Sequence, residues 1–211
     1  MAGFFIDRAV EAGVKYIVRQ SAAGAETEAI TLLRAHRMAE TRVEESGIPY
    51  THLRPNTFMQ NFVNFFSDSI KTSGKLLLPL KNAAVSYIDA RDIAAVAATL
   101  LAGSVKEERV NRAYALTGPA PVTMDGVASA ISKASGRPVQ YMDISPADAK
   151  LGMKAARMPD WAIESMIELY EFQRDGRAER VSGAVEEIAG RAPFSFDDFA
   201  RDNAAAFRSA A

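Results

Sequence analysis

The feature that most constrains this chain is an exchange of helical and strand periodicity that runs from its first residues to about residue 118. Parallel strands cannot be joined by tight hairpins, so short apolar runs that alternate with amphipathic helices point to a parallel sheet with helical crossovers. Residues 2–12 place Phe5, Ala9, Val10 and Ala12 near one helical face, and Gly13 stands where a helix C-cap belongs. VKYIV (14–18) then predicts a buried strand. Over 26–45 the helical period returns, with Ala29, Leu32, Leu33, His36, Ala39 and Val43 on one stripe and Gly47 ending it. YTHL (50–53) predicts a second strand stopped by Pro55, and an unusually aromatic helix follows over 56–70. After the apolar run KLLLPL, VSYI (85–88) reads as a strand. Asp92 is placed to N-cap a helix that Gly103 would close, and YALTG (114–118) is expected to be the last strand.

Beyond this point the pattern becomes helical. Thr123 opens a helix through Lys133 that Gly136 and Pro138 break. Ser145, Pro146 and Asp148 supply an N-cap, a proline at the first helical position and a capping acid. Met158, Pro159 and Asp160 mark an interruption and a restart, and Ser195 with Asp198 has capping-box spacing before the apolar Phe199 and Phe207. There is no internal repeat and no linker long enough to separate independent domains. The expected division is a sheet-bearing part, 1–140, and a mostly helical lobe, 141–211, laid over it.

Charge and composition narrow the function classes. With 25 basic against 26 acidic side chains, the chain has no electrostatic footprint for nucleic acid or an acidic membrane surface. It has no Cys, so disulfides, thiolate zinc sites and a cysteine nucleophile are excluded, and a reducing compartment, by default the cytoplasm, is expected. Asp7, Arg8 and Glu11 stand where a signal peptide would be apolar, and no run of about 18 uncharged apolar residues occurs. Two histidines without metal-ligand spacing predict no transition-metal site.

Three segments, GVKYIVRQSAAG (13–24), HRMAETRVEESGIPYTHLRPNTFMQNF (36–62) and VSYIDARDIAAVAATLL (85–101), together resemble the NmrA-like branch of the atypical short-chain dehydrogenase/reductase superfamily. The closing run SGAVEEIAGRAPFSFDDFARDNAAAF is similar to the end of that branch. The resemblance implies a Rossmann-like, doubly wound α/β fold and a reductase that moves a hydride from NADPH or NADH, NADPH being preferred, to a small conjugated carbonyl such as a quinone. It equally allows a noncatalytic NAD(P)-sensing regulator, because the branch holds both. Family members open with a strand, a Gly-x-x-Gly-x-x-Gly turn and a helix that hold the pyrophosphate. No such glycine cluster follows an early strand here, so the chain reads as a partial fold that starts at the helix before strand four, and it need not bind a dinucleotide at all. Strand 14–18 would then be a sheet edge at which a second copy could pair.

The resemblance also supplies candidate residues. Ser21, at the carboxyl end of the first strand, corresponds to the serine that contacts the reacting carbonyl. Ala22 and Gly24 follow it on the cofactor side. Aligning Glu40, Ser46 and Gly47 puts His36 where classical members have the catalytic lysine and Leu32 where they have the catalytic tyrosine. Leucine donates no proton, so the proton of a reduction would come from His36, from water or from the substrate's own solvent contact, which favours an acceptor whose developing oxyanion is delocalised and can be protonated by water. His36 has a second reading as the rim of an apolar stripe, and His52 reads as structural. In the resembling family the turn after the second strand passes the nicotinamide, which implies Pro55, Asn56 and Phe58 beside the cofactor and Met59, Asn61 and Phe62 toward the substrate. The plainer alternative makes the aromatic residues of this stretch the core face of a helix. Tyr87 is a separate candidate for the pocket lining, and Trp161 belongs to an apolar set in the helical lobe that reads either as a lid over a flat ligand or as core.

Overall fold

The helical and strand periods become nine helices and seven strands among the described residues, 2–102 and 106–208 of a computed structural model. In chain order they are α1 (Ala2–Glu11), β1 (Ile17–Gln20), α2 (Thr31–Glu45), β2 (Tyr50–Pro55), α3 (Gln60–Ser73), β3 (Lys75–Leu78), β4 (Ala84–Val85) and α4 (Ala90–Leu101). There follow β5 (Arg112–Leu116), β6 (Val122–Thr123), α5 (Met124–Ser135), β7 (Gln140–Asp143), α6 (Pro146–Ala155), α7 (Asp160–Arg174), α8 (Ala184–Ala189) and α9 (Phe196–Asp202). No helix among the described residues is long and apolar enough to cross a membrane. The chain forms two compact units, each discontinuous in sequence, and their boundaries fall elsewhere than at residue 140. The first comprises Met1–Asn56, Arg91–Thr117 and Ser182–Ala192, and the second the remainder.

In the first unit β1, β2 and β5 form a parallel sheet in the order β1-β2-β5, with Arg19 beside His52 and His52 beside Ala113. Leu33 and Val43 of α2 and Leu53 and Leu116 of the sheet are at most 2% exposed, each contributing about 1.5–3 kcal/mol by leaving water. β1 starts three residues later than VKYIV predicts. The amide of Val14 is spent on the Ala9 carbonyl at the end of α1, so 14–16 only connects. The helix expected over 26–45 is divided, because Gly24 and Glu28 both lie in the left-handed region and enclose a 3₁₀ turn at Ala25–Thr27.

The second unit carries two two-stranded sheets, parallel β3-β7 and antiparallel β4-β6. Its core joins Phe62 of α3, Tyr87, Ile131 of α5, and Phe196, Phe199 and Phe207 near the C-terminus. β6 and β7 follow the strand expected to be last; one is two residues long and the other, QYMD, has no apolar alternation to reveal it. The expected caps at Thr123, Ser145 and Ser195 all form, the last as a full capping box. Asn56 caps nothing. α3 begins at Gln60 because 57–59 pair with the segment at Ile88, and the Gln60 side chain accepts from the Ala90 amide at the start of α4. Asp92 is likewise inside α4, not its cap, and its buried carboxylate receives Arg191 at 2.6 Å. Gly103 lies outside the described residues.

Candidate functional site

The carboxyl edge of the first unit's sheet is closed by main-chain bonds between the segments that leave it. The Ser21 amide donates to Leu53 (2.6 Å), that of Ala23 to Pro55 (2.9 Å) and that of Asn56 to Leu116 (2.9 Å). Ser21, Ala22, Gly24, Pro55 and Asn56 are thereby brought to one edge, the place at which open α/β sheets bind ligands. Ser21 and Pro55 are buried, the other three half-buried. His36 sits in the second turn of α2, half-buried, and its buried Nδ1 makes no hydrogen bond. Burial lowers its pKa and the nearby Arg19 lowers it further, against an opposing pull from Glu40.

Beneath this edge lies a charged network whose roles the sequence alone did not reveal. Glu40 of α2 is 0% exposed. Arg54, near the end of β2, donates to both its oxygens, Nε at 2.9 Å and Nη2 at 2.8 Å, and Arg37 adds a bond at 3.0 Å. The third Arg54 nitrogen reaches Glu26 in the 3₁₀ turn at 2.8 Å, and Arg37 grips Glu44 with two bonds at 2.6 and 2.8 Å. Burial pushes the Glu40 carboxyl up, but hydrogen bonds from Arg54 and Arg37, the Arg54 charge and the nearby Ser21 hydroxyl outweigh it and bring the pKa to about 2. The Ser21 hydroxyl forms no well-aligned hydrogen bond, so its contribution is one of proximity to the carboxylate. A visible signal did exist: Glu40 falls between Leu33 and Val43 at core-facing helical spacing, where an acid must be paired.

His52 is 1% exposed, stacks on Tyr50 at a 4.5 Å ring separation, and forms no hydrogen bond through either nitrogen. Its Nε2 lies 3.4 Å from Glu44. Glu40, Glu44 and His52 converge closely enough to suggest a cation site. Their carboxylates, however, are already neutralised by Arg37 and Arg54, and a metal ion would have to displace both. The arrangement is an ion-pair network.

The remaining candidates belong to the second unit. Phe58 and Asn61 are half-buried there, whereas Met59, Phe62 and Tyr87 are 1%, 2% and 3% exposed within its core. Phe62 meets Tyr87 and Phe196 edge-on at 5.2 and 5.1 Å, the packing of a core helix face. Trp161, at the start of α7, is 75% exposed.

The model of the NmrA-like family matches residues 4–197. The NAD(P)H azoreductase of Xenophilus azovorans is 36% identical over 211 residues, covering 100% of this chain and 72% of the azoreductase. Among solved structures, the Citrobacter triphenylmethane reductase complexed with NADP(H) superposes with a TM-score of 0.82 at 27% identity, covering 96% of this chain and 70% of the other. An NADPH-dependent quinone oxidoreductase from Escherichia coli superposes with a TM-score of 0.85 at 23% identity, with 95% and 72% covered, and so shares the fold.

Proposed function

Because this chain belongs to the NmrA-like family, we propose that it serves as an NAD(P)H-dependent reductase of a small conjugated acceptor, a quinone or a group of similar electron demand. The observation that carries this reading is the similarity along its whole length to an NAD(P)H azoreductase. Azo groups and quinones are both flat, conjugated acceptors in which the charge left by hydride addition is spread and can be quenched by water. That chemistry suits a chain with Leu32 where classical relatives carry a proton-donating tyrosine.

The residues present fit the nicotinamide end of a dinucleotide. Ser21, Ala22 and Gly24 on one side and Pro55 and Asn56 on the other line the sheet edge, and His36 offers a buried nitrogen that the protein leaves unbonded. When bound, the reduced nicotinamide supplies a hydride to the acceptor. His36, kept neutral near pH 7 by burial and by Arg19, orients the cofactor through a hydrogen bond, and the proton comes from solvent. On the family resemblance alone, Phe58 is assigned a cofactor role and Asn61 and Trp161 a substrate role. NADPH is preferred over NADH, and a reducing compartment such as the cytoplasm suits a chain without Cys.

The test is a fluorescence titration with NADPH and NADH followed by benzoquinone-dependent oxidation. Saturable binding with turnover is expected, and His36→Ala should reduce turnover by about tenfold, less than the roughly hundredfold or more for loss of a general acid or base, because His36 only orients the cofactor. Absence of saturable binding would sink the reductase reading. Leu32 favours a second reading, a noncatalytic NAD(P) sensor, which binding without oxidation would select.

A further inference from the structure

We propose that Arg54, clamped by Glu40 and reaching Glu26, is a positioning residue that sets the ligand-facing loop 21–28 in register with the loop that begins at Asn56. The proposal rests on the NAD(P)H reading for the identity of the ligand, but its geometry stands in the first unit alone.

Loop 21–28 needs such a fastener. It leaves β1 through Ser21, turns at Gly24 (φ 85), makes the short 3₁₀ turn, and leaves it through Glu28, a non-glycine residue in the left-handed region at φ 51. Two main-chain bonds tie it to β2, Ser21 to Leu53 at its root and Ala23 to Pro55 just beyond, and none does so past Ala23 among the described residues. Within it Ala25 bonds to Ala22, Thr27 to Gly24, Glu28 to Ala25 and the Thr27 hydroxyl to Gly24, and at its far end the Glu28 carbonyl accepts from Arg34 of α2 at 3.3 Å. A segment of this kind opens easily unless a side chain holds it.

Arg54 provides that hold with its whole guanidinium. Two nitrogens form a fork on Glu40, whose complete burial and second clamp by Arg37 make it a fixed anchor. The third nitrogen is then aimed rigidly at Glu26. Since Arg54 immediately precedes Pro55 and Asn56, one planar group fixes the loop after β1 against the one after β2. Lysine, a single point charge on a flexible stem, could not serve both carboxylates in this fork geometry.

Two substitutions, with two further variants as controls, test this by hydrogen exchange, NADPH affinity and turnover. Glu26→Gln removes the exposed end of the latch without disturbing the buried anchor, and Arg54→Lys removes the fork. Both should speed hydrogen exchange of the 22–28 amides by about tenfold while exchange in α2 stays as in the wild type for Glu26→Gln. The NADPH dissociation constant should rise about threefold in Glu26→Gln and about tenfold in Arg54→Lys, with turnover at saturation changed less than about twofold. Glu26→Asp should restore binding in part, and Glu44→Gln, at the far side of Arg37, should leave it unchanged. Unaltered exchange in 22–28 for Glu26→Gln would overturn the latch whether or not NADPH binds, as would faster exchange with an unaltered dissociation constant. A wild-type chain without saturable NADPH binding would instead overturn the reductase reading, and with it the latch's role toward a cofactor.

Discussion

At the residue scale, two buried titratable groups of the first unit are both held deprotonated, Glu40 as an anion and His52 as a neutral ring. Glu40 is ionised in the fold with a pKa of about 2, below the ordinary 4.5, so the unfolded chain binds the extra proton between these values. Its contribution, on the order of 3 kcal/mol, is present above pH 4.5 and lost as the pH falls toward 2. His52 is also depressed: burial lowers it, with Arg19 and Arg54 adding to this and Glu40 and Glu44 opposing it. Stability from a neutral His52 is therefore present above its ordinary value of 6.5 and lost as the pH drops through the lowered one. Thermal unfolding followed from neutral pH downward should show two declines, the first beginning below 6.5 and the second below 4.5. His52→Phe should remove much of the first and leave the second. Glu40→Gln strands Arg54 and Arg37 beside a neutral group, and should cost about 3–5 kcal/mol at pH 7 in urea unfolding, as breaking buried ion pairs does. A His52→Phe chain that retains the full first decline would shift the cause to His36, which burial depresses in the same direction.

At the element scale, what was legible in the sequence was whatever a side chain announces locally. The caps at Thr123, Ser145 and Ser195, the break at Pro159 and the parallel arrangement of the first strands all follow from residue type and period. What was not legible depends on partners distant in sequence. α3 starts only at Gln60 because Ile88 pairs with the strand-like stretch before it, and Asp92 is taken by Arg191. Glu40 was visible as a position but not as an anchor, since nothing near it in sequence announces that Arg54 will fork onto it. Glycines make the same contrast measurable. Gly136, the C-cap of α5, has φ 74 but open space around a would-be Cβ, so Gly136→Ala should cost only the left-handed penalty of about 1 kcal/mol. Gly118 donates its amide to the Tyr87 carbonyl, and a Cβ there would lie 2.3 Å from that oxygen. Gly118→Ala must push backbone from backbone and should cost about 3 kcal/mol or more. Equal losses in chemical denaturation for the two variants would show that the Gly118 turn relaxes without resistance.

At the scale of the whole molecule, behaviour in solution turns on the first unit's sheet edge. Among the described residues β1 is hydrogen-bonded to β2 alone. Ile17 and Ser21 direct their amides to Pro49 and Leu53, so by alternation the polar main-chain groups of Val18 and Gln20 face away from the sheet. Beside that edge runs a groove of about 450 Å³ whose lining includes Phe5, Ile6, Ile17, Val18, Ala39 and Val43. Phe5 is 69% exposed, and Val10 and Val14 are 49% and 39% exposed. Parallel strands are ordinarily covered on both sides, and an uncovered apolar edge is a template for another chain. A net charge of −1 offers little repulsion to keep copies apart. The chain alone should therefore self-associate, its weight-average mass by light scattering rising with concentration above the 22.8 kDa of one chain. Gln20→Pro removes an outward amide that β2 does not use, so it should lower association without unfolding the sheet. A mass of one chain at every concentration would mean that the groove and edge are closed in solution by the chain's own residues, and an association that Gln20→Pro leaves intact would move the contact from the strand to the exposed face of α1.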